Sequence, residues 1–336
     1  MPPLQVRLIG KANGVGLSRD IELLASALRA CGCEVTLHGC ERRDRKRRRN
    51  VLTRLAARAR AWRRAHGSAR QTRYDINLML EHVWPQFLHE AGCNVLVPNP
   101  EWFDRRDLAF LGAAQRVWAK TAMAETVFAA RGCHAVRIGF DSEDRYDAAI
   151  AREPCFLHLA GRSPLKGTAR LCALWRRHPE WPALTVVQDA EALDSGVIEA
   201  PNLKMRRGFI DDAALRTLQN AHRFHLCTSE AEGWGHYIAE AMSVGAVAFT
   251  CDAAPMNELV TRERGILIDA RPGARHNLAT LSCFDERALE ASIARVLGMT
   301  GRQWDEIGEA ARRWFLGNKQ GFVGRIQRAL TELDHR

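Results

Sequence analysis

The chain has 336 residues and a formal charge of +10 at pH 7, from 49 lysines and arginines against 39 aspartates and glutamates. With 46% hydrophobic and 26% charged content it reads as a globular protein long enough for two domains, and no apolar run approaches the roughly 20 residues of a spanning helix. The segment Met1 to Gly10 lacks a signal-peptide pattern, so a cytoplasmic location and reduced thiols are expected for the ten cysteines. Cys31, Cys33, His38 and Cys40 lack the two-residue spacing of usual zinc pairs and read as structural, so no metal is expected. The positive balance points to an anionic partner, whether nucleic acid, a phospholipid surface or a phosphorylated substrate.

In chain order, Val6 to Ile9 predicts a strand, Asn13 to Leu17 a glycine turn, and Ser18 to Cys31 a helix with Ile21, Leu24, Ala25 and Leu28 on one face. Glu34 to Leu37 follows as a strand, then a dense arginine run from Arg42 to Arg64 that takes on helical spacing from Val51 through Leu52, Leu55, Ala59 and Trp62. Strands are predicted at Ile76 to Leu80, Asn94 to Pro98, Arg116 to Ala119 and Ala135 to Ile138, with helices at Arg106 to Ala113 and Ala122 to Ala130. Asp141 to Pro154 is polar and aperiodic and reads as an interdomain linker.

The alternation then repeats. Strands are predicted at Phe156 to Leu159, Leu184 to Val187, Leu203 to Arg206, Phe224 to Cys227, Ala246 to Thr250 and Gly265 to Ile268. Helices are predicted at Gly167 to Arg177, Asp212 to Ala221 and Tyr237 to Val244, with a helical tail from Glu286 to Glu332. Strand, turn and helix in succession predict parallel sheets.

The informative stretch runs Cys227-Thr-Ser-Glu-Ala-Glu-Gly-Trp-Gly-His-Tyr-Ile-Ala-Glu-Ala-Met-Ser. It sets Glu232 and Glu240 eight positions apart, across a turn whose Gly233 and Gly235 let the backbone come close to a diphosphate. A helix N-terminus at the carboxyl edge of a parallel sheet favours phosphate. Two carboxylates flanking such a turn could accept hydroxyls on either side of a diphosphate, the layout of a nucleotide sugar. By spacing alone the pair equally fits a capping residue and a surface helix residue.

Glu-x7-Glu within this stretch, followed by Glu-Ala-Met-Ser-x-Gly-Ala, resembles the donor-site signature of retaining GT-B glycosyltransferases of the group 1, family 4 type. The likeness extends upstream to Leu159-Ala-Gly-Arg-Ser-Pro-Leu-Lys-Gly-Thr and downstream to Asp252-Ala-Ala-Pro-Met-Asn-Glu-Leu-Val. It implies two Rossmann-like doubly wound α/β domains facing across a cleft, residues 1–150 on the acceptor side and 151–318 on the donor side. A C-terminal helix, 319–336, would return to the first domain. It further implies that Arg162 and Lys166 neutralise the departing diphosphate, Glu232 contacts the donor sugar, Glu240 takes the ribose hydroxyls, and Gly233, Trp234 and Gly235 supply backbone donors. Gly208, Phe209 and Ile210 resemble the segment that meets the nucleobase, and Gly14 and Gly16 the turn facing the donor phosphates. No cofactor is implied beyond the nucleotide sugar as co-substrate.

On the acceptor side His82 resembles a histidine found at that strand's end, and a core histidine fits the same position. One strand later the histidine many relatives carry is missing; Pro98-Asn-Pro-Glu-Trp stands there, and Asn99 or Glu101 is the expected substitute. The arginine run has two readings, a basic amphipathic helix on anionic lipid or a solvated loop. The functional expectation is retaining transfer from a nucleotide sugar to a lipid-linked or envelope-glycan acceptor. The alternatives are a GT-B protein that binds nucleotide sugar without turnover, and nucleic-acid binding through the arginines, which lack interleaved aromatics apart from Trp62.

Overall fold

A computed structural model describes residues 2–11, 14, 16–56, 59, 72–190 and 200–334. They form two compact units, Met1–Asp141 with Gln320–Arg336, and Ser142–Lys319. Trp62 and the rest of the arginine run beyond 59 lie outside the described residues.

The first unit contains β1 (Gln5–Gly10), α1 (Gly16–Ala30), β2 (Glu34–Gly39), α2 (Arg42–Arg49), β3 (Tyr74–Leu80), β4 (Ala91–Val97), β5 (Arg116–Ala119), α3 (Ala122–Ala129) and β6 (Ala135–Arg137). Its sheet runs in the order β2-β1-β3-β4-β5-β6, with every neighbouring pair parallel. Helices cover such a sheet on both faces, so its central strands read as apolar runs; in β3 all but Asp75 are buried. Helix α1 inserts Leu24, Ala25 and Leu28 into this core. The segment predicted as a helix over 106–113 winds instead as a 3-10 helix, Arg105–Ala113, capped by Asp104 and with Asp107 turned inward.

In the second unit come β7 (Glu153–Gly161), α4 (Thr168–Arg176), β8 (Leu184–Gln188), β9 (Leu203–Arg207), α5 (Asp212–Ala221), β10 (His222–Cys227), α6 (His236–Ser243), β11 (Val247–Cys251) and β12 (Ile266–Ile268). The sheet order is β12-β11-β10-β7-β8-β9, again parallel throughout. Phe156 on β7 lies 4.8 Å from Phe224 and 4.9 Å from Trp175, ring centre to ring centre, which sets the centre of the core. An antiparallel hairpin, β13 (Ala270–His276) and β14 (Ala279–Phe284), was not expected. The helical tail divides into α7 (Glu286–Leu297) and the 34-residue α8 (Gly301–Asp334). The last part of α8 belongs to the first unit, where Phe322 meets Phe140 at 5.3 Å and Arg325 donates to the Ile138 carbonyl at 2.6 Å.

The stretch after Asp141 is bound into the second unit, which is why its polar composition does not make it free chain. Arg145 is fully buried, donating to Asp212 Oδ1 at 2.6 Å and Gln219 Oε1 at 3.0 Å. Burial works against its charge, yet the Asp212 bond and the Glu240 and Glu143 carboxylates hold its pKa above the ordinary value. All ten cysteines are free thiols. Among the described residues no group of His, Cys, Asp and Glu is placed to hold a metal, and no helix is long and apolar enough to cross a membrane.

Two buried histidines make this unit sensitive to acid. His158 bonds the Leu226 carbonyl through Nδ1 at 2.7 Å and Thr168 Oγ1 through Nε2 at 2.9 Å, and burial lowers its pKa from 6.5 to about 4. His225 is likewise lowered by burial, to about 3. Between these values and 6.5 the unfolded chain holds more protons than the folded one, so stability is full above pH 6.5 and falls as the pH drops towards 4. For His158 alone the loss is on the order of 3 kcal/mol. The urea midpoint should therefore drop steadily from pH 7 to pH 4.5, and a flat profile would contradict the burial of both rings.

Candidate functional site

In a doubly wound sheet, ligands bind outside the carboxyl ends of the strands where the order reverses. In the second unit that point lies between β7 and β10, since successive strands run outward from this pair in opposite directions. The two motifs read separately in the sequence are the extensions of these two strands, and the fold stitches them together. Glu230 N donates to the Leu165 carbonyl at 2.8 Å, and Thr228 Oγ1 to the Lys166 carbonyl at 2.9 Å.

Lys166 Nζ then donates to Glu232 Oε1 at 2.6 Å and lies 3.3 Å from the centre of the Tyr237 ring. The same carboxylate oxygen accepts from Ser229 Oγ at 2.6 Å, and Ser229 is in turn within 2.5 Å of the Tyr237 hydroxyl. Of the three ammonium donors, Glu232 takes one. Two glycines make this proximity possible. Gly167, at φ 66°, has the Thr228 carbonyl oxygen only 2.9 Å from where a Cβ would stand, and Gly235, at φ 92°, starts α6 in a left-handed conformation. The backbone of α6 thus begins beside the Lys166–Glu232 pair, so the positive end of the helix faces this site. Behind the loop, Ser282 of β14 donates its N–H to the Glu230 carbonyl at 2.8 Å, so the unexpected hairpin buttresses the site.

Trp234 is buried, its indole N–H donating to Ser142 Oγ at 3.0 Å; Ser142 also bonds His236 Nδ1 at 2.9 Å. Glu240 is only 1% exposed and accepts from Gln219 Nε2 at 2.8 Å, with Arg145 holding the other end of that amide. Gln219, Arg145 and Ser142 belong to no motif and were not singled out in the sequence, and Tyr237 lies within the informative stretch but was given no role there. Arg162 follows β7 directly, with its side chain 54% exposed, and pairs with Asp189 at 2.8 Å. Gly208, at φ 94°, ends β9; Phe209 is 94% exposed, and Ile210 packs against Leu157, Val187 and Leu218.

The first unit has its own reversal, between β1 and β3. Gly14, at φ 73°, donates its N–H to Ser18 Oγ at 2.8 Å, and Gly16 opens α1. At the end of β3, Glu81 is held at φ 64°, a conformation non-glycine residues rarely adopt. Burial pushes its carboxyl pKa up, against the pull of His82 and Lys120. His82 Nδ1 faces Asp107 Oδ2 at 3.4 Å. Lys120, buried at the end of β5, donates to Asp20 at 2.5 Å and to Asn99 Oδ1 at 2.9 Å. Glu101 is buried just beyond Asn99. Sequence reading found His82, Asn99 and Glu101 but not Asp20, Asp107 or Lys120, which no local pattern marks.

No family model and no curated protein matches the chain. Solved structures do. A glycosyltransferase from Rickettsia africae ESF-5, 13% identical, aligns over 99% of this chain and 98% of its own with a TM-score of 0.67. Sucrose-phosphate synthase from Thermosynechococcus elongatus, 15% identical, covers 98% of both chains at 0.71. The Anabaena protein HepE in complex with UDP and glucose, 16% identical, covers 99% of this chain and 100% of its own at 0.64. The chain therefore has the GT-B fold, two Rossmann-like domains in succession with a long closing helix.

Proposed function

We propose that this protein is a retaining glycosyltransferase that moves a sugar from a nucleotide-sugar donor to a lipid-linked or envelope-glycan acceptor, without a metal. The observation behind this reading is the Lys166–Glu232 pair at the reversal between β7 and β10, beside the start of α6. In the reaction the bond from the anomeric carbon to the diphosphate oxygen breaks and negative charge develops on the diphosphate. Lys166, Arg162 and the first N–H groups of α6 stabilise that charge, the type of contribution that matters most when it is preorganised. Glu232 orients the sugar hydroxyls, and Glu240 with Gln219 forms the polar wall for the ribose. Phe209 and its neighbours Gly208 and Ile210 would line the base. The acceptor oxygen attacks from the face the diphosphate leaves, and its proton passes to the departing phosphate oxygen.

The test is incubation with UDP-, GDP-, ADP- and dTDP-sugars and a membrane-glycan extract, following nucleoside diphosphate release and the anomeric proton coupling of the product. Release from one donor with the donor's α or β configuration kept in the product supports the reading. An inverted product refutes retention, and no release from any donor refutes transfer.

A membrane-associated acceptor is supported by the arginine run. Residues 51–56 continue helically after α2 and expose Val51, Leu52 and Leu55 by 67%, 75% and 56%. Arg43, Arg45 and Lys46 are exposed beside them, whereas Arg48 is buried and belongs to the interior. An amphipathic basic helix of this kind lies on an anionic surface at the inner face of the cytoplasmic membrane, gaining about 1 kcal/mol per basic residue. Changing Arg43, Arg45 and Lys46 together to glutamine should weaken binding to phosphatidylserine-containing vesicles by roughly 100-fold. Unchanged sedimentation with vesicles would remove the membrane from the account.

A further inference from the structure

Tyr237 takes no part in the chemistry described above, yet it reaches both members of the Lys166–Glu232 pair, the lysine through its ring and the glutamate through Ser229. It is the second residue of α6 and only 8% exposed, so the helix and the surrounding core fix its ring. Lys166 and Glu232 keep 14% and 15% of their side chains open to solvent, so the pair itself can meet a ligand.

The ring face carries the ammonium. Lys166 Nζ lies 3.3 Å from the ring centre, well inside the distance at which an aromatic face attracts a cation, and the attraction strengthens as water is withdrawn. Glu232 Oε1 takes one ammonium N–H at 2.6 Å, so the charge is held from two directions and a long side chain with many rotamers is set in one place.

The hydroxyl reaches Glu232 by a chain of hydrogen bonds with a single direction. Ser229 N–H donates to Tyr237 Oη at 3.1 Å, and Ser229 Oγ donates to Glu232 Oε1 at 2.6 Å. The one hydroxyl proton of the serine is thus committed to the carboxylate, and in the 2.5 Å contact between Ser229 and Tyr237 the phenol is the donor. Burial first, with the Cys227 thiol and the Glu232 carboxylate, holds the phenol pKa well above its ordinary value against the Ser229 bond, which keeps that proton in place. Lys166 and Ser229 both engage Oε1, so Oε2 is the oxygen left to a ligand.

We propose that Tyr237 is the positioning residue of the donor site: its ring presets Lys166 for the diphosphate, and its hydroxyl, through Ser229, presets Glu232 for a sugar hydroxyl. The inference rests on the transferase reading above and gives one side chain two separable effects, since a group held in place before the ligand arrives needs no reorganisation when charge develops.

The experiment is calorimetric titration of the full chain with UDP, GDP, ADP and dTDP, followed by steady-state kinetics with sugar donors of the nucleotide that binds. Tyr237→Phe keeps the ring and should bind the nucleoside diphosphate within about two-fold of wild type, whereas Tyr237→Leu should bind it about ten-fold more weakly. Lys166→Ala and Lys166→Ala with Tyr237→Leu should bind it equally, because the ring acts through the ammonium. In the kinetics, Tyr237→Phe and Ser229→Ala should each lower kcat/KM by about ten-fold, and the two together should be no worse than Ser229→Ala alone. Wild-type diphosphate affinity in Tyr237→Leu, or losses that add in either double variant, would overturn the proposal and leave the donor site standing. If Tyr237→Leu does not fold, the Tyr237→Phe and Ser229→Ala pair decides by the same criterion. A wild type that binds none of these nucleotides would remove the transferase reading, and this inference with it.

Discussion

Replacing Lys166 by alanine should lower donor-dependent turnover by about 10²–10³-fold while leaving the melting temperature nearly unchanged. The ammonium sits where the loops after β7 and β10 meet, and it pairs with Glu232 at 2.6 Å. Removing it deprives the departing diphosphate of a preorganised cation. Glu232 keeps its bond from Ser229 Oγ and, at about 15% side-chain exposure, still reaches water, so the variant does not leave its carboxylate without a partner. Steady-state kinetics with a single donor would show the loss in kcat/KM, with KM raised as well as kcat lowered. A variant with wild-type kcat/KM would mean that Lys166 has no part in holding the donor diphosphate.

Glu240 should behave differently, because it is buried. Glu240→Ala would remove the acceptor of the Gln219 amide at 2.8 Å and leave that amide, with Arg145 beyond it, under-satisfied. That costs roughly 1–3 kcal/mol in addition to any effect on the donor. Glu240→Gln keeps the shape and is the sharper probe. Its kcat/KM for the nucleotide sugar should fall by about 10–100-fold, the expected loss when a charge-assisted bond to ribose becomes a neutral one. Its melting temperature should stay within a few degrees of wild type. Full activity in Glu240→Gln would place the ribose elsewhere.

The two cases show how far the sequence could be read. Strands buried on both faces give unbroken apolar runs, so β3, β8, β10 and β11 were visible in the chain, as was the helix stripe of α1. The Glu-x7-Glu stretch was legible because its glycines, carboxylates and helix start are local. Contacts between distant segments left no such trace. Arg145 lies in a polar stretch that reads as linker, yet Asp212 and Gln219 bury it completely. Arg48 is one arginine among many in its run, and only its approach to Asp104 and Asp107 sets it apart from the exposed Arg43 and Arg45. The hairpin β13–β14 was missed because Arg271, Pro272, Gly273, Ala274 and Arg275 are exposed, so the strand shows no alternation of apolar and polar residues. The segment over 106–113 was read as a helix, and it winds as a 3-10 helix over Arg105–Ala113.

The central claim is that the loops after β7 and β10 hold a nucleotide sugar. The most direct measurement is thermal shift of wild type and Lys166→Ala against UDP-, GDP-, ADP- and dTDP-sugars, since a ligand that binds only the native state raises the melting temperature by its mass action. The account predicts that donors of one nucleotide stabilise the wild type and that the shift is largely lost in Lys166→Ala. Absence of a shift with every donor, or an equal shift in the variant, would contradict it.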